Sequence, residues 1–84
     1  MTEVNKSTIK QLIEFIATSL VDDDKAVKVV ESAKENYTVM ELSVNAADLG
    51  RVIGKNGQTA RAIRTLVNAA ASKAHDKIIF EIKE

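Results

Sequence analysis

Eighty-four residues suffice for one folded domain and are too few to close two separate hydrophobic cores. Hydrophobic residues make up 45% of the chain and charged residues 29%, the balance of a folding sequence rather than a disordered one. Twelve Lys and Arg cancel twelve Asp and Glu, and there is no Cys. That excludes disulfide frameworks, cysteine zinc sites and thiol nucleophiles, and leaves no whole-molecule field to attract a polyanion. No apolar run approaches the roughly 20 residues of a membrane span, and the N-terminus lacks the basic-then-apolar order of a signal peptide. A soluble protein of the reducing cytoplasm, with no membrane partner, is expected.

Residues 7–21 place Ile9, Leu12, Ile13, Ile16, Ala17 and Leu20 at the i, i+3, i+4 spacing of one helical face. Ser7 or Thr8 is the expected cap, and Asp22, Asp23 and Asp24 the stop, because Asp competes for its own backbone. From Ala26 to Ala33, Val27, Val29 and then Ser32 or Ala33 alternate against Lys28, Val30 and Glu31, which predicts a strand. Glu35, Asn36 and Tyr37 lie where a turn is wanted. Thr38 to Val44 alternates again, with Met40, Leu42 and Val44 opposite Val39 and Glu41, so the two segments form an antiparallel hairpin.

Asn45 is a good cap for a short helix from Ala46 to about Val52. Gln58 to about Ala74 predicts a long helix with Ala62, Ile63, Leu66, Val67 and Ala70 on its apolar side. Lys77 to Lys83 closes as a strand with Ile78, Phe80 and Ile82 on one face. The order is α-β-β-α-α-β, an α+β domain spanning residues 1–84, and the economical packing is a three-stranded sheet covered on one face by three helices.

Between the last two helices stands Arg51-Val52-Ile53-Gly54-Lys55-Asn56-Gly57. Its glycines permit positive φ and close approach of another backbone. The following helix offers free N–H groups and a dipole that favours an anion. No carboxylate occurs between residues 49 and 75, whereas Arg51, Lys55, Arg61, Arg64 and Lys73 all do, so a neutral chain contains a strongly basic segment. Arg61 and Arg64, three apart, project near the loop on one side of the helix and are placed to grip one phosphate backbone. Val52 and Ile53 supply an apolar floor for a base, and with so few aromatics stacking on Phe or Tyr is not expected.

Val52-Ile53-Gly54-Lys55-Asn56-Gly57, followed by the aliphatic Ile63, resembles the signature of the KH family. The stretches Ser19-Leu20-Val21-Asp22, Asp48 to Gly57 and Ala62-Ile63-Arg64-Thr65-Leu66-Val67 extend the resemblance over nearly the whole chain, to the small stand-alone bacterial KH proteins of the KhpA type. The resemblance implies a type II KH fold and a non-enzymatic domain whose loop clamps about four nucleotides of single-stranded RNA, with Arg51, Val52, Ile53, Gly54, Lys55, Asn56, Gly57, Arg61 and Arg64 as the RNA-binding residues. It also implies work as an RNA chaperone or post-transcriptional regulator, in a homodimer or in a heterodimer with a larger KH-containing protein of the KhpB type. One departure is Ala60, where the signature usually has isoleucine; Asn56 likewise leaves Lys55 as the single cation of the loop.

Other motifs have bland readings. A P-loop needs four residues between its glycines and Ser or Thr after Lys; here three intervene between Gly50 and Gly54, and Asn56 follows Lys55. His75 has no Cys, Ser or second His at useful spacing for metal or nucleophilic work and reads as a surface residue. Asp22, Asp23 and Asp24 lack the alternating ligands of a Ca²⁺ loop. No cofactor, metal or small-molecule substrate is expected. Ala60, Ala62, Leu66, Ala69, Ala70 and Ala71 carry apolar character round more of the long helix than one core stripe needs. Either this is a helix-pairing face, which makes the domain a dimerisation or docking module with weak RNA binding of its own, or the alanines simply favour the helix.

Overall fold

The computed structural model describes residues 4–84; the expected single domain of residues 1–84 and the N-terminus expected to lack a signal peptide thus lie partly outside the described residues. Helix α1 runs Lys6–Leu20, and its cap is Asn5, in extended backbone. The Asn5 Oδ1 accepts the Thr8 N–H at 3.0 Å and the Thr8 hydroxyl at 3.2 Å. Ser7 and Thr8, expected as caps, are thus inside the first turn, because an Asn side chain reaches the third helical N–H from one residue before it. Ile9, Ile13 and Ala17 are buried as the spacing requires. The helix ends where Val21 turns extended while its N–H still bonds the Ala17 carbonyl.

A single 3₁₀ turn over Asp24–Ala26 delays strand β1 to Lys28–Ala33, two residues later than its pattern suggested. In β1 only Val29 is buried. The turn lacks glycine and is closed by the Lys34 N–H on the Tyr37 carbonyl at 2.7 Å. Strand β2, Thr38–Ser43, pairs antiparallel with β1, Ala33 opposite Thr38 and Val29 opposite Leu42. After β2 come a 3₁₀ turn at Ala46–Asp48, helix α2 (Leu49–Ile53), another such turn at Lys55–Gly57, helix α3 (Gln58–Lys73) and strand β3 (Ile78–Ile82). Because the chain crosses over through α2 and α3, β3 lies parallel to β2, with Met40 beside Phe80. The sheet order is β1-β2-β3.

Thr38, Met40 and Leu42 of β2 and Ile78 and Phe80 of β3 face the helices and are buried. Helix α1 packs on β1 and α3, and α3 packs on β3 and α2. Three helices thus cover one face of a three-stranded sheet, as expected. On α3 the buried residues are Ile63, Val67 and Ala71, while Ala62 is exposed and Leu66 is 51% exposed. The stripe is centred on an i, i+4, i+8 row, and at 3.6 residues per turn positions 62 and 66 fall off its edge.

Helix α3 stops in a Schellman arrangement: the His75 N–H bonds the Ser72 carbonyl at 3.1 Å and the Asp76 N–H bonds the Ala71 carbonyl at 2.9 Å. His75 is left-handed, φ 59°, where most helices place Gly. His75→Gly is therefore expected to stabilise the protein by about 0.5–1 kcal/mol, raising the thermal midpoint by a few degrees. A lowered midpoint would mean that the imidazole contributes more at the helix C-terminus than its backbone strain costs.

Candidate nucleic-acid interface

Asn45, the expected cap, does accept the Ala47 N–H, at 2.9 Å. Helix α2 then runs until Gly54, whose N–H bonds the Gly50 carbonyl at 2.8 Å while its backbone leaves helical space (φ 76°, ψ 172°). The loop folds into a tight turn closed by the Gly57 N–H on the Gly54 carbonyl at 3.1 Å and the Gln58 N–H on the Lys55 carbonyl. Three of its four residues have positive φ: Gly54, Asn56 at 57° and Gly57 at 73°. Apart from Gly, Asn is among the few residues that accept this region, so Asn56 has a backbone role that its lack of charge had hidden.

The two glycines differ. A Cβ on Gly54 would strike Thr59, at its Oγ1, its Cβ (2.8 Å) and its backbone N (2.9 Å), whereas one on Gly57 would meet nothing within 4 Å. Gly54 is bare so that α3 can start against the loop, and Gly57 is bare on an open surface at the head of α3.

The site residues inferred from sequence separate into groups. Lys55, Asn56, Arg61 and Arg64 are exposed, and Gly54, Gly57, Ile53 and Ala60 are half-buried beside them. Val52, expected to line a base groove, is 0% exposed within the core. A helix of five residues turns only one side inward, and Val52 is on that side, so Ile53 alone of the pair reaches the surface. Arg51 is exposed but held: its Nη2 lies 3.2 Å from Asp22 Oδ2 and its Nε 3.5 Å from Asp48 Oδ1. Much of its charge is answered within the protein, which leaves Lys55, Arg61 and Arg64 as the cations near the loop without an ion-pair partner among the described residues.

In the sequence Asp48 is only the first residue of the stretch to Gly57 that resembles the family, and nothing there marks it as buried. Only 4% exposed, its carboxylate accepts the Asp22 N–H at 3.3 Å and the Asp23 N–H at 3.1 Å as well as facing Arg51. It pins the segment after α1 to the start of α2. Asp23 in turn accepts from the Asn45 side-chain amide at 3.2 Å, so Asp22 and Asp23 join two parts of the chain rather than only ending a helix. A groove of about 370 Å³ between α3 and β3, lined by Asn68, Ala71, Ser72, Ile78 and Ile79 among others, was also not legible, since it exists only once the turn after α3 folds β3 back beside the helix. Among the described residues no group of three potential metal ligands occurs and no helix is long and apolar enough to cross a membrane.

The α-β-β-α-α-β order, a mixed three-stranded sheet and a Gly-x-x-Gly turn between the last two helices define a type II KH domain. A family model described as the KH domain of KhpA and KhpB matches residues 10–82. The chain is 49% identical over 74 residues to the RNA-binding protein KhpA of Clostridium perfringens, covering 88% of this chain and 99% of that protein. It is 42% identical to the KhpA of Aquifex aeolicus, over 93% of this chain and 99% of the relative, and 42% identical to that of Bacillus subtilis, over 88% and 91%. The chain belongs to the KhpA/KhpB family of KH domains, which is not a family of enzymes.

Proposed function

We propose that this protein binds single-stranded RNA at the Gly54-Lys55-Asn56-Gly57 turn. The supporting observation is the turn's geometry: three positive-φ residues present a bare, unobstructed Gly57 at the head of α3, in a segment free of carboxylates from 49 to 75. The relatives named RNA-binding proteins support the same reading. Lys55, Arg61 and Arg64 meet phosphates, and Ile53 with Ala60 offers the apolar contact for a base. Arg51 and Val52 act from behind, Arg51 by fixing α2 to Asp22 and Asp48, Val52 by anchoring it in the core. The α3–β3 groove is the natural continuation of the strand's path. With three cations near the loop unpaired among the described residues, affinity is modest and sequence preference slight, as suits a cytoplasmic RNA chaperone or post-transcriptional regulator.

The variant Lys55→Asp/Asn56→Asp tests the loop. Asp tolerates a left-handed backbone as Asn does, so the fold should persist, while two added carboxylates and one lost cation weaken RNA binding at least about tenfold in low salt. Fluorescence anisotropy with a labelled oligonucleotide measures this, and undiminished binding by a folded variant would sink the loop's role.

A second reading, of a docking module, is favoured by the exposed row Ala62, Leu66 and Ala69 on α3. Pairing through it, with a second copy or with a larger KH protein of the KhpB kind, brings two loops together and raises avidity through effective concentration. Sedimentation at high micromolar concentration checks the homodimer: a complex dissociated by Leu66→Glu is expected, and a wild-type monomer would remove it.

A further inference from the structure

Beyond the far end of α3 from the loop lies a cleft of about 220 Å³ whose lining includes Lys6 from α1, Lys34 and Tyr37 from the β1–β2 turn, and Lys77 from the lead into β3. Three chain segments thus bring three lysines and one tyrosine to the lining of one cleft. The arrangement is held by the backbone, with the Lys34 N–H on the Tyr37 carbonyl at 2.7 Å and the Thr38 N–H on the Lys77 carbonyl at 2.9 Å. Glu35 and Asp76 also line the cleft, leaving a small surplus of positive charge. Tyr37 is 37% exposed, so part of its ring remains free to be covered.

Asp76 and Lys77 line both this cleft and the α3–β3 groove, so the two form one continuous surface. Helix α3, 16 residues long, spans about 24 Å at 1.5 Å per residue. A stacked strand advances about 3.4 Å per nucleotide, so some seven nucleotides, fewer if splayed, bridge the loop and the cleft. An exposed aromatic among lysines is the chemistry that holds a single-stranded base by its π-face and its neighbouring phosphates by charge. Stacking, which the scarcity of aromatics argued against, therefore has one place to occur.

Resting on the RNA reading of the loop, we infer that the bound strand runs from Gly54–Gly57 along α3 into this cleft, where Tyr37 stacks on a base and Lys6, Lys34 and Lys77 hold phosphates. The chain has one Tyr and no Trp, so its intrinsic fluorescence reports on the cleft directly. The full chain is titrated with single-stranded RNA of four and of twelve nucleotides, with absorption corrected against N-acetyltyrosinamide. The twelve-mer is expected to quench Tyr37 and to bind about a hundredfold more tightly than the tetramer, about tenfold beyond the roughly ninefold that its overlapping four-nucleotide registers supply. Tyr37→Leu should remove that further tenfold, Tyr37→Phe should keep it, and the tetramer should bind all three proteins alike. If the twelve-mer gains no more than the register factor on wild type, or if Tyr37→Leu retains the further gain, the cleft has no part in binding and the loop reading stands. If neither length binds, the RNA reading itself fails.

Discussion

Replacing Gly54 with alanine is expected to destabilise the protein by about 3 kcal/mol and, on the proposed reading of the loop, to abolish RNA binding there. Two costs add. An L-residue held at φ 76°, ψ 172° lies in a region essentially reserved for Gly and loses about 1–3 kcal/mol there. The new methyl must also find room beside Thr59, whose Cβ and backbone N lie 2.8 and 2.9 Å from its position, an overpacking of about 1–3 kcal/mol. Trimming Thr59 relieves the side-chain part only, since the backbone N remains. For a domain of this size the loss is a large share of total stability and lowers the thermal midpoint by more than about 10 °C. Gly57→Ala meets the milder left-handed cost, at φ 73°, ψ 15°, has open space around its Cβ and should lose only about 1–2 kcal/mol. Urea denaturation of both variants checks the ranking; equal losses would mean that the contact with Thr59 relaxes without cost.

The architecture was legible because the apolar periodicities are strong. Ile9, Ile13 and Ala17 mark α1, and Met40, Leu42, Ile78 and Phe80 mark the buried face of the sheet. What escaped depends on which neighbour an element meets. The valine-rich pattern of β1 buries only Val29, because an edge strand at the rim of a three-helix layer is covered over little of its length. The alanines of α3 could not tell one stripe from another, and the structure settles it by burying Ala71 and exposing Ala62 and Ala69.

The candidate site divides in the same way. The glycine spacing located the turn, and the carboxylate-free segment located its charge. Whether each residue faces outward was invisible, since Val52 and Ile53 are adjacent aliphatics with opposite fates. Charge near the loop was also overcounted. Arg51 belongs to the basic segment in sequence, yet its guanidinium faces carboxylates from positions 22 and 48, a pairing that only the packing of α2 beside the end of α1 creates.

That pairing leads to the second large effect. Asp48→Ala is expected to destabilise the protein by about 3 kcal/mol, because the buried carboxylate serves three groups together: the N–H of Asp22, the N–H of Asp23 and the Arg51 guanidinium. Removing it leaves two partly buried backbone donors without their acceptor, at about 1–3 kcal/mol for each group left unsatisfied, and frees the segment after α1 from the start of α2. Asp48→Asn keeps one oxygen but turns an amide donor toward the other N–H, so about half the loss is expected. Arg51→Ala should cost less than about 1 kcal/mol, since its own side chain is 56% exposed and exposed ion pairs contribute little. The order Asp48→Ala, Asp48→Asn, Arg51→Ala in thermal denaturation follows if the backbone bonds are what hold α2 in place. An Arg51→Ala loss as large as that of Asp48→Ala would assign the role to the ion pair instead. RNA binding provides the second readout. On the proposed reading of the loop, a folded Asp48→Asn protein should bind RNA more weakly than wild type, because α2 carries Ile53 and ends at Gly54, although residue 48 is itself buried.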